Sequence, residues 1–352
     1  MTTKIVPNHQ HGGDINAFAK EINCNINEVL DLSSNINFIK PKIDIDFNKL
    51  EISAYPNYDR LYEAIAKLYQ VNRNQIELFN GATTAIYSLF RKLNLKDCTL
   101  YAPCYIEYRK SAQLYGYKIE YINRLDNIEK KPKEKSLVIF VNPSTPDGEF
   151  YDIDRVMRMW IDRECTILID ESFLDFTPFK SATKYLNYPK LYILKSMTKF
   201  YSSAGIRIGA IISDRKNIKT LQKGEPLWKI SEFDSTYLQS ALRDIGFIQK
   251  SRTANSQNRE YLIDILNKSS FIEKIYPSSA NFVLVKLKDI NATTFQDMLI
   301  PYKIMVRNCA NFDFLDDSFV RIAVKDIELL KILQNSLESF PNFTKSLLKE
   351  QN

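Results

Sequence analysis

The sequence predicts an α/β fold, in which a large domain with a mostly parallel seven-stranded sheet is joined to a smaller α+β domain. Short apolar runs alternate with segments of helical period over the first two thirds of the chain, a pattern typical of βα units around a parallel sheet. The chain has 352 residues. A single hydrophobic core usually stops growing at roughly 250 to 300 residues, so two domains are expected.

The predicted elements of the large domain follow from this alternation. Strands are predicted at residues 76–79, 98–102, 117–122, 136–141, 165–169, 191–195 and 206–212. Apolar residues spaced to share one helix face indicate helices between them, first at Leu61, Ile65 and Leu68 and then at Ile86, Leu89, Phe90 and Leu93.

The pattern changes after about residue 240, which predicts the division into domains. A long polar helical region is followed by NFVLVKL, KIMVRN and FVRIAVK, which are predicted as strands of the α+β domain. The first 45 residues lack a strong period and are predicted to form an arm that packs back onto the folded domains. The expected parts are therefore an arm at 1–45, a large domain at 46–240 and a small domain at 241–352.

Composition and charge exclude several classes of function. The net charge of +6 is modest and dispersed, which argues against a nucleic-acid partner and suits an enzyme that gathers small anions. Five cysteines without a CxxC pair and only two histidines predict neither a disulfide framework nor a metal site. No run approaches the roughly 20 apolar residues of a membrane span, and the start lacks a signal-peptide core, so we expect no membrane association and a cytoplasmic location.

The clearest chemical signal is the segment KSMTKFYSSAGIRIG at residues 195–209. It follows a predicted strand and places Lys199 between Ser196 and Arg207. An amine that can form an imine, next to a hydroxyl and a guanidinium that neutralise a phosphate, suits a pyridoxal 5'-phosphate (PLP) site. Taken alone, the segment also fits a surface lysine followed by an arginine on a strand.

Two weaker signals accompany it. Asp170 ends the strand CTILID, at the edge where α/β sheets bind ligands, and could keep a pyridine nitrogen protonated; it also fits a helix cap or a metal ligand. The turn Asn80-Gly81-Ala82-Thr83-Thr84 lies between a strand and a helix and could bring backbone N–H groups to a phosphate. The same residues also fit a plain βα turn that binds no ligand.

The order of these motifs resembles a known family. NGAT, YAPCYIEY, NPSTPDG, DESF, SMTKFYSSAGIRIG and FVRIAV follow one another as in fold-type I PLP enzymes of the class I/II aminotransferase group, over nearly the whole chain. Within that group HGGD, LDLSSNIN and YPNY resemble the L-threonine-O-3-phosphate decarboxylases of cobalamin synthesis, near relatives of histidinol-phosphate aminotransferases. The alternative for His-Gly-Gly is a flexible arm without chemistry.

The resemblance implies a role for each matching residue. It makes Lys199 the Schiff-base lysine, Asp170 the partner of the pyridine nitrogen and Tyr108 the aromatic that stacks on the ring. Tyr55 would reach the cofactor phosphate from the second subunit of a homodimer with shared active sites. The implied phosphate-binding residues are Gly81, Ala82, Thr83, Ser196 and Arg207.

The implied substrate is a small phosphorylated amino acid. Arg307 and Arg321 resemble the arginines that bind its anionic groups, and His11 and Asn35 resemble arm residues that close over it. The implied reaction is decarboxylation of O-phospho-L-threonine or O-phospho-L-serine to an amino-alcohol phosphate, for the cobamide nucleotide loop. The alternatives are an aminotransferase, such as one for histidinol phosphate, and a non-catalytic binding module with this fold.

The sequence departs from the family at several positions. Thr145 occupies the place of an asparagine that bonds the cofactor's phenolic oxygen, and Phe173 stands where many aminotransferases have a tyrosine that bonds the same oxygen. Fewer donors to that oxygen would raise the pKa of the imine that Lys199 forms. In the arm, Phe38 and Lys40 replace the proline and glycine favoured by relatives.

Overall fold

The structure, a computed structural model, describes residues 12–350 and the side chains of residues 12–340. Its contacts divide the chain into two compact units. The smaller unit comprises the described residues up to Phe38, Pro146–Gly148 and the described residues from Thr253, and the larger unit comprises Ile39–Thr145 and Glu149–Arg252. These boundaries differ from the predicted ones after residues 45 and 240, and the division into an arm, a large domain and a small domain stays a prediction.

The regular elements follow in chain order. The strands are β1 (Leu30–Asp31), β2 (Ile76–Asn80), β3 (Asp97–Ala102), β4 (Lys118–Asn123), β5 (Leu137–Val141), β6 (Thr166–Asp170), β7 (Leu191–Ser196), β8 (Ile208–Ser213), β9 (Ile272–Ile275), β10 (Phe282–Leu287), β11 (Ile304–Met305), β12 (Arg307–Asn308) and β13 (Phe319–Ala323). The helices are α1 (Ile15–Glu21), α2 (Asp59–Tyr69), α3 (Gly81–Leu93), α4 (Ile106–Leu114), α5 (Asp154–Asp162), α6 (Met197–Phe200), α7 (Arg215–Gln222), α8 (Glu232–Ala241), α9 (Phe247–Asn267), α10 (Ala292–Leu299) and α11 (Ile327–Glu350).

The larger unit is built on one sheet, which within residues 12–350 has seven strands in the order β2-β8-β7-β6-β5-β3-β4. All seven correspond to the predicted strands, and the predicted α/β fold is confirmed. β8 runs opposite to the other six. The strands β5 to β8 are buried along their whole length, as expected of a sheet covered on both faces. The carboxyl ends of the parallel strands therefore share one edge, where ligands bind in such sheets.

Helix α3 shows how sequence pattern produces the layer of helices on this sheet. Its buried residues Ala85, Ile86, Leu89 and Phe90 recur at the spacing of one helix face. The helix ends at Asn94, which adopts a left-handed conformation with φ +44° that asparagine tolerates better than most residues.

The smaller unit contains an antiparallel sheet and a short parallel pair. Among the described residues its sheet has the order β12-β13-β10-β9, and β1 of the arm pairs with β11. KIMVRN, predicted as one strand, is divided into β11 and β12, which pair with different strands. The division lies at Val306, whose backbone N–H donates to the Gln296 side chain at 2.9 Å and not to a neighbouring strand.

The arm is more regular than its sequence predicts, since it contains α1 and β1. A search of the described helices for one with the length and apolarity to cross a bilayer finds none.

Candidate active site

The turn between β2 and α3 forms a cradle for an anion. Gly81 begins α3 with φ +81°, and a Cβ there would lie 2.7 Å from Nη2 of Arg207. A Cβ on Gly209 would lie 2.5 Å from the backbone nitrogen of Ala82. Only glycine fits these two positions without displacing its neighbours. The first N–H groups of α3, including that of Thr83, have no partner within the helix, so the close approach of Arg207 adds a guanidinium to a helix N-terminus suited to a phosphate.

The reversed direction of β8 brings the KSMTKFYSSAGIRIG segment to this cradle. Gly209 of β8 pairs with Phe79 on one side and with Ser196 of β7 on the other. The Ser196 hydroxyl lies 2.8 Å from that of Thr198, so the end of β7 and the start of α6 supply one hydroxyl each. The structure therefore brings together the five residues predicted for the phosphate, namely Gly81, Ala82, Thr83, Ser196 and Arg207.

Asp170 lies at the carboxyl end of β6 and is held by three donors. Its Oδ1 accepts from the Ser172 backbone N–H at 2.8 Å and the Ser172 hydroxyl at 2.5 Å, and its Oδ2 accepts from the Tyr108 hydroxyl at 2.7 Å. A buried carboxylate needs such donors. Burial, and then the charge of Asp170, raises the pKa of Tyr108 well above its usual value, so the phenol stays protonated as a donor.

Tyr108 is completely buried. A ring without an accessible face cannot stack on a bound cofactor, so the structure argues against the stacking role predicted for Tyr108 and gives it a polar role at Asp170.

Tyr105 is an aromatic residue of this site that the sequence patterns do not indicate. It directly precedes α4, is partly exposed, and its hydroxyl lies 3.3 Å from that of Thr83. Burial is the main cause that raises the pKa of Tyr105, while Arg207 lowers it and Asp170 raises it. The charges of Arg207, in the phosphate cradle, and of Asp170 therefore both influence the pKa of this phenol. Its position just beyond the carboxyl end of β3 was the available signal.

Lys199 lies on the short helix α6, directly after β7 and next to the strand that carries Asp170. It is partly exposed, and its Nζ lies 5.2 Å from the ring centroid of Phe173. The phenyl ring of Phe173 is buried and has no hydroxyl to offer, so an apolar face adjoins the amine. Lys199 and Asp170 thus reach the same sheet edge from adjacent strands.

Two other predicted cofactor residues have different surroundings. Thr145 is buried in the loop after β5, which also leads to this sheet edge. Tyr55 is 75% exposed and stacks on Trp228, with ring centroids 4.1 Å apart. Its predicted role lies across a subunit interface and remains a prediction.

The two arginines predicted to bind the substrate lie side by side in the smaller unit. Arg307 of β12 pairs directly with Arg321 of β13, and both are buried. Burial lowers the pKa of Arg307. Burial also lowers the pKa of Arg321, to about 10, and the nearby charge of Arg307 contributes to that shift. Both guanidinium groups therefore stay cationic at neutral pH, and two adjacent desolvated cations favour an anion.

The arm lies against Arg321. Nη2 of Arg321 donates to the carbonyl oxygen of Ser33 at 2.6 Å, and a Cβ on Gly12 would lie 2.4 Å from that oxygen. The Gly13 N–H donates to the Ser33 hydroxyl at 2.8 Å. The backbone carbonyl of Asn35 accepts from Asn281 at 2.9 Å. His11 lies outside the described residues, so its predicted role is not placed.

The larger unit fits PLP on the chemistry of its donors. Helix N–H groups, hydroxyls and a guanidinium suit the phosphate, a buried carboxylate suits the protonated ring nitrogen, and Lys199 offers an amine for the aldehyde. Among the residues that the structure describes, no group of three or more potential metal ligands is gathered.

Comparison with known proteins gives a consistent result. Residues 19–337 match the family Aminotransferase class I and II. The chain is 28% identical over 365 residues to the adenosylcobalamin biosynthesis bifunctional protein CobDQ of Leptospira interrogans. The matched region covers 97% of this chain but only 42% of that protein. It is 26% identical to the histidinol-phosphate aminotransferase of Methanocaldococcus jannaschii, over 84% of each chain. It is 24% identical to the threonine-phosphate decarboxylase of Salmonella typhimurium, over 94% of this chain and 97% of that protein.

Solved structures show the same likeness. The histidinol-phosphate aminotransferase of Clostridium acetobutylicum superposes with a TM-score of 0.79 and 29% identity, covering 89% of this chain and 99% of that one. The L-threonine-O-3-phosphate decarboxylase of Porphyromonas gingivalis superposes with a TM-score of 0.76 over 97% of this chain and 98% of that one, at an identity of 22% that shows the fold alone.

The cofactor of the chain is accordingly PLP, as predicted. With a family match over most of its length and a site whose donors fit that cofactor, the chain belongs to the class I and II aminotransferase family.

Proposed function

We propose that the chain decarboxylates O-phospho-L-threonine or O-phospho-L-serine to an amino-alcohol phosphate and CO2, in the synthesis of the cobamide nucleotide loop. The observation that carries the proposal is the buried, directly paired Arg307 and Arg321. Two guanidinium groups offer bidentate hydrogen bonds to a phosphate dianion. The named relatives in cobalamin biosynthesis and threonine-phosphate decarboxylation support the reaction.

Substrate orientation decides which bond breaks. PLP, when bound, supplies a ring that accepts the electron pair of whichever Cα bond lies perpendicular to it. If Arg307 and Arg321 bind the phosphate, the carboxylate is left without a guanidinium partner and takes the perpendicular position, so CO2 departs. The pairing of the arginines on adjacent strands fixes their spacing, because each side chain leaves a hydrogen-bonded backbone.

The residues of the larger unit hold the cofactor and move the proton. Asp170, supported by Tyr108 and Ser172, keeps the ring nitrogen protonated. Lys199 returns a proton to Cα after CO2 has left. Tyr105, and not Tyr108, would stack on the bound cofactor ring, because Tyr105 is partly exposed and adjoins the phosphate cradle through Thr83.

The active form is a homodimer. The larger unit exposes several large apolar side chains in the loops around Tyr55 and Trp228 and at the start of α8, namely Ile52, Tyr55, Leu227, Trp228 and Phe233. Exposed aromatic groups of this kind are typical of subunit interfaces. We infer that a second copy covers them and that Tyr55 bonds the cofactor phosphate of that partner.

The second candidate is an aminotransferase, which is favoured by the likeness to histidinol-phosphate aminotransferases in sequence and in fold. In that reaction the Cα–H bond is perpendicular to the ring, and Lys199 removes the proton that it later returns. The two reactions differ in stoichiometry, since only an aminotransferase needs a keto acid and converts the cofactor to its amine form.

The test measures CO2 release from O-phospho-L-threonine and O-phospho-L-serine by the purified yellow protein without a keto acid. The proposal predicts sustained release that a Lys199→Ala variant lacks, and the ratio between the two substrates identifies the preferred one. Absence of release, together with conversion of the cofactor to its amine form by histidinol phosphate or glutamate, would establish the aminotransferase instead.

A further inference from the structure

We infer that Trp228 is a positioning residue that holds Tyr55 in the orientation from which it reaches the partner subunit's cofactor phosphate. This inference rests on the homodimer proposed above. The rings of Tyr55 and Trp228 stack with centroids 4.1 Å apart and an interplanar angle of 21°. Tyr55 is 75% exposed and Trp228 is 50% exposed, so each ring presents much of its surface to solvent.

Such exposure leaves the stack as the main restraint on the Tyr55 ring. An exposed side chain otherwise populates several rotamers, and ordering it costs free energy when its hydroxyl must meet one oxygen. A stacked partner restricts the ring in advance. The hydroxyl of Tyr55 is therefore directed before the second subunit binds.

The backbone of Trp228 is itself specially held. Its φ is +51°, a left-handed conformation that bulky residues adopt rarely and only where the surroundings impose it. The next residue, Lys229, provides one such restraint, since its Nζ lies 2.5 Å from the Glu77 carboxylate with both side chains nearly buried. The same Nζ lies 4.4 Å from the ring centroid of Phe79. The residue after Trp228 is thus anchored on β2.

A second restraint connects the segments that carry the two rings. The Tyr58 hydroxyl donates to the carbonyl oxygen of Ile230 at 2.7 Å and accepts from the Ile230 N–H at 2.9 Å. Tyr58 lies three residues after Tyr55, and Ile230 lies two residues after Trp228. The aromatic stack and this hydrogen-bonded pair therefore join the same two segments at two points.

A third contact links the Trp228 loop to the phosphate cradle of its own subunit. The side-chain amide of Asn80 donates to the carbonyl oxygen of Lys229 at 3.3 Å, and Asn80 directly precedes Gly81. The loop that orients Tyr55 is thus fixed to the strand that ends at the cradle. A connection between the Trp228 loop and the cradle is expected if Trp228 positions Tyr55, whereas a stack without a function would not require it.

The experiment is a double-mutant cycle on PLP affinity, measured by titrating the full-length apoprotein and recording visible absorbance. Tyr55→Phe removes the hydroxyl and keeps the stack, whereas Trp228→Ala removes the stack and keeps the hydroxyl. Each is expected to raise the dissociation constant about tenfold, as for one hydrogen bond to a charged group. The double variant should be no weaker than either single one, and Trp228→Phe, which keeps a ring, should restore affinity.

The possible results separate this inference from the dimer proposal. Weak binding by Tyr55→Phe with normal binding by Trp228→Ala, or additive effects in the double variant, overturns the role of Trp228 alone. Normal binding by Tyr55→Phe overturns both the contact across the interface and the inference. Sedimentation checks the assembly. A dimeric Trp228→Ala protein with weak PLP binding supports positioning, whereas a monomeric one would attribute its weak binding to loss of the dimer and overturn the inference. Trp228→Leu replaces the alanine variant if that variant does not fold.

Discussion

Replacement of Arg321 by glutamine tests the substrate assignment most directly. The change keeps a polar side chain that can still donate to the Ser33 carbonyl but removes the charge and the bidentate donor. One hydrogen bond between charged groups contributes about 1.5 to 3 kcal/mol. We therefore expect kcat/KM for O-phospho-L-threonine decarboxylation to fall roughly 10- to 150-fold, since 1.4 kcal/mol corresponds to a factor of ten.

Arg259→Gln is the matched control. Arg259 belongs to the same unit, is partly buried, and donates to the backbone carbonyls of Ser279 and Ala280 at 3.3 and 3.1 Å. It has no assigned role in binding, so its replacement should leave kcat/KM close to that of the parent. Because burial lowers the pKa of Arg321 only to about 10, the Arg321→Gln defect should be present across the neutral range of pH.

The assay is initial CO2 release at several substrate concentrations, with PLP saturating and folding checked by thermal melting. Binding of PLP by Arg321→Gln should be unchanged, since the cofactor residues belong to the larger unit. An Arg321→Gln variant with the parent's kcat/KM, or a control that loses as much activity, would refute phosphate binding by this arginine. Arg307→Gln should behave like Arg321→Gln if the pair acts on one phosphate.

Three further outcomes are expected. Gly209→Ala should weaken PLP binding at least about tenfold, because its Cβ would lie 2.5 Å from the backbone nitrogen of Ala82. Gly205→Ala, whose Cβ would meet nothing within 4 Å, should bind PLP normally. Equal affinities of the two variants in an absorbance titration would contradict phosphate binding at the cradle. Lys195→Met should lower the free energy of unfolding by about 3 to 5 kcal/mol, because its ion pair with Glu171 is buried, with side chains 1% and 3% exposed. Urea unfolding checks this against Lys268→Met, which breaks an exposed ion pair and should change the free energy of unfolding little. Phe173→Tyr should lower the pH at which the visible absorbance of the bound cofactor changes, because a phenol can stabilise the ionised oxygen; an unshifted titration would count against that donor.

Local patterns in the sequence were sufficient for the fold and for the phosphate cradle. Alternating apolar runs identify all seven strands of the large sheet, because buried parallel strands are apolar on both faces. The cradle is predictable because Gly81, Ser196 and Arg207 lie in two short segments whose residue types suit a phosphate at a helix N-terminus. The family match adds the cofactor.

The aromatic residue proposed to stack on the cofactor ring could not be chosen from sequence. Tyr105 and Tyr108 are three residues apart, a spacing that places both on one side of a helical turn. Burial separates them in the structure, since Tyr108 is enclosed and bonded to Asp170 while Tyr105 stays accessible beside Thr83.

Contacts between distant segments were decided only by the tertiary structure. The strand pairing that sets Arg307 beside Arg321 begins after the break at Val306, where the backbone N–H donates to Gln296 of α10. The stack of Tyr55 on Trp228 joins loops far apart in the chain and requires a left-handed backbone at a bulky residue. Sequence patterns report which faces are apolar over a few turns or strands, whereas such contacts depend on how whole elements pack.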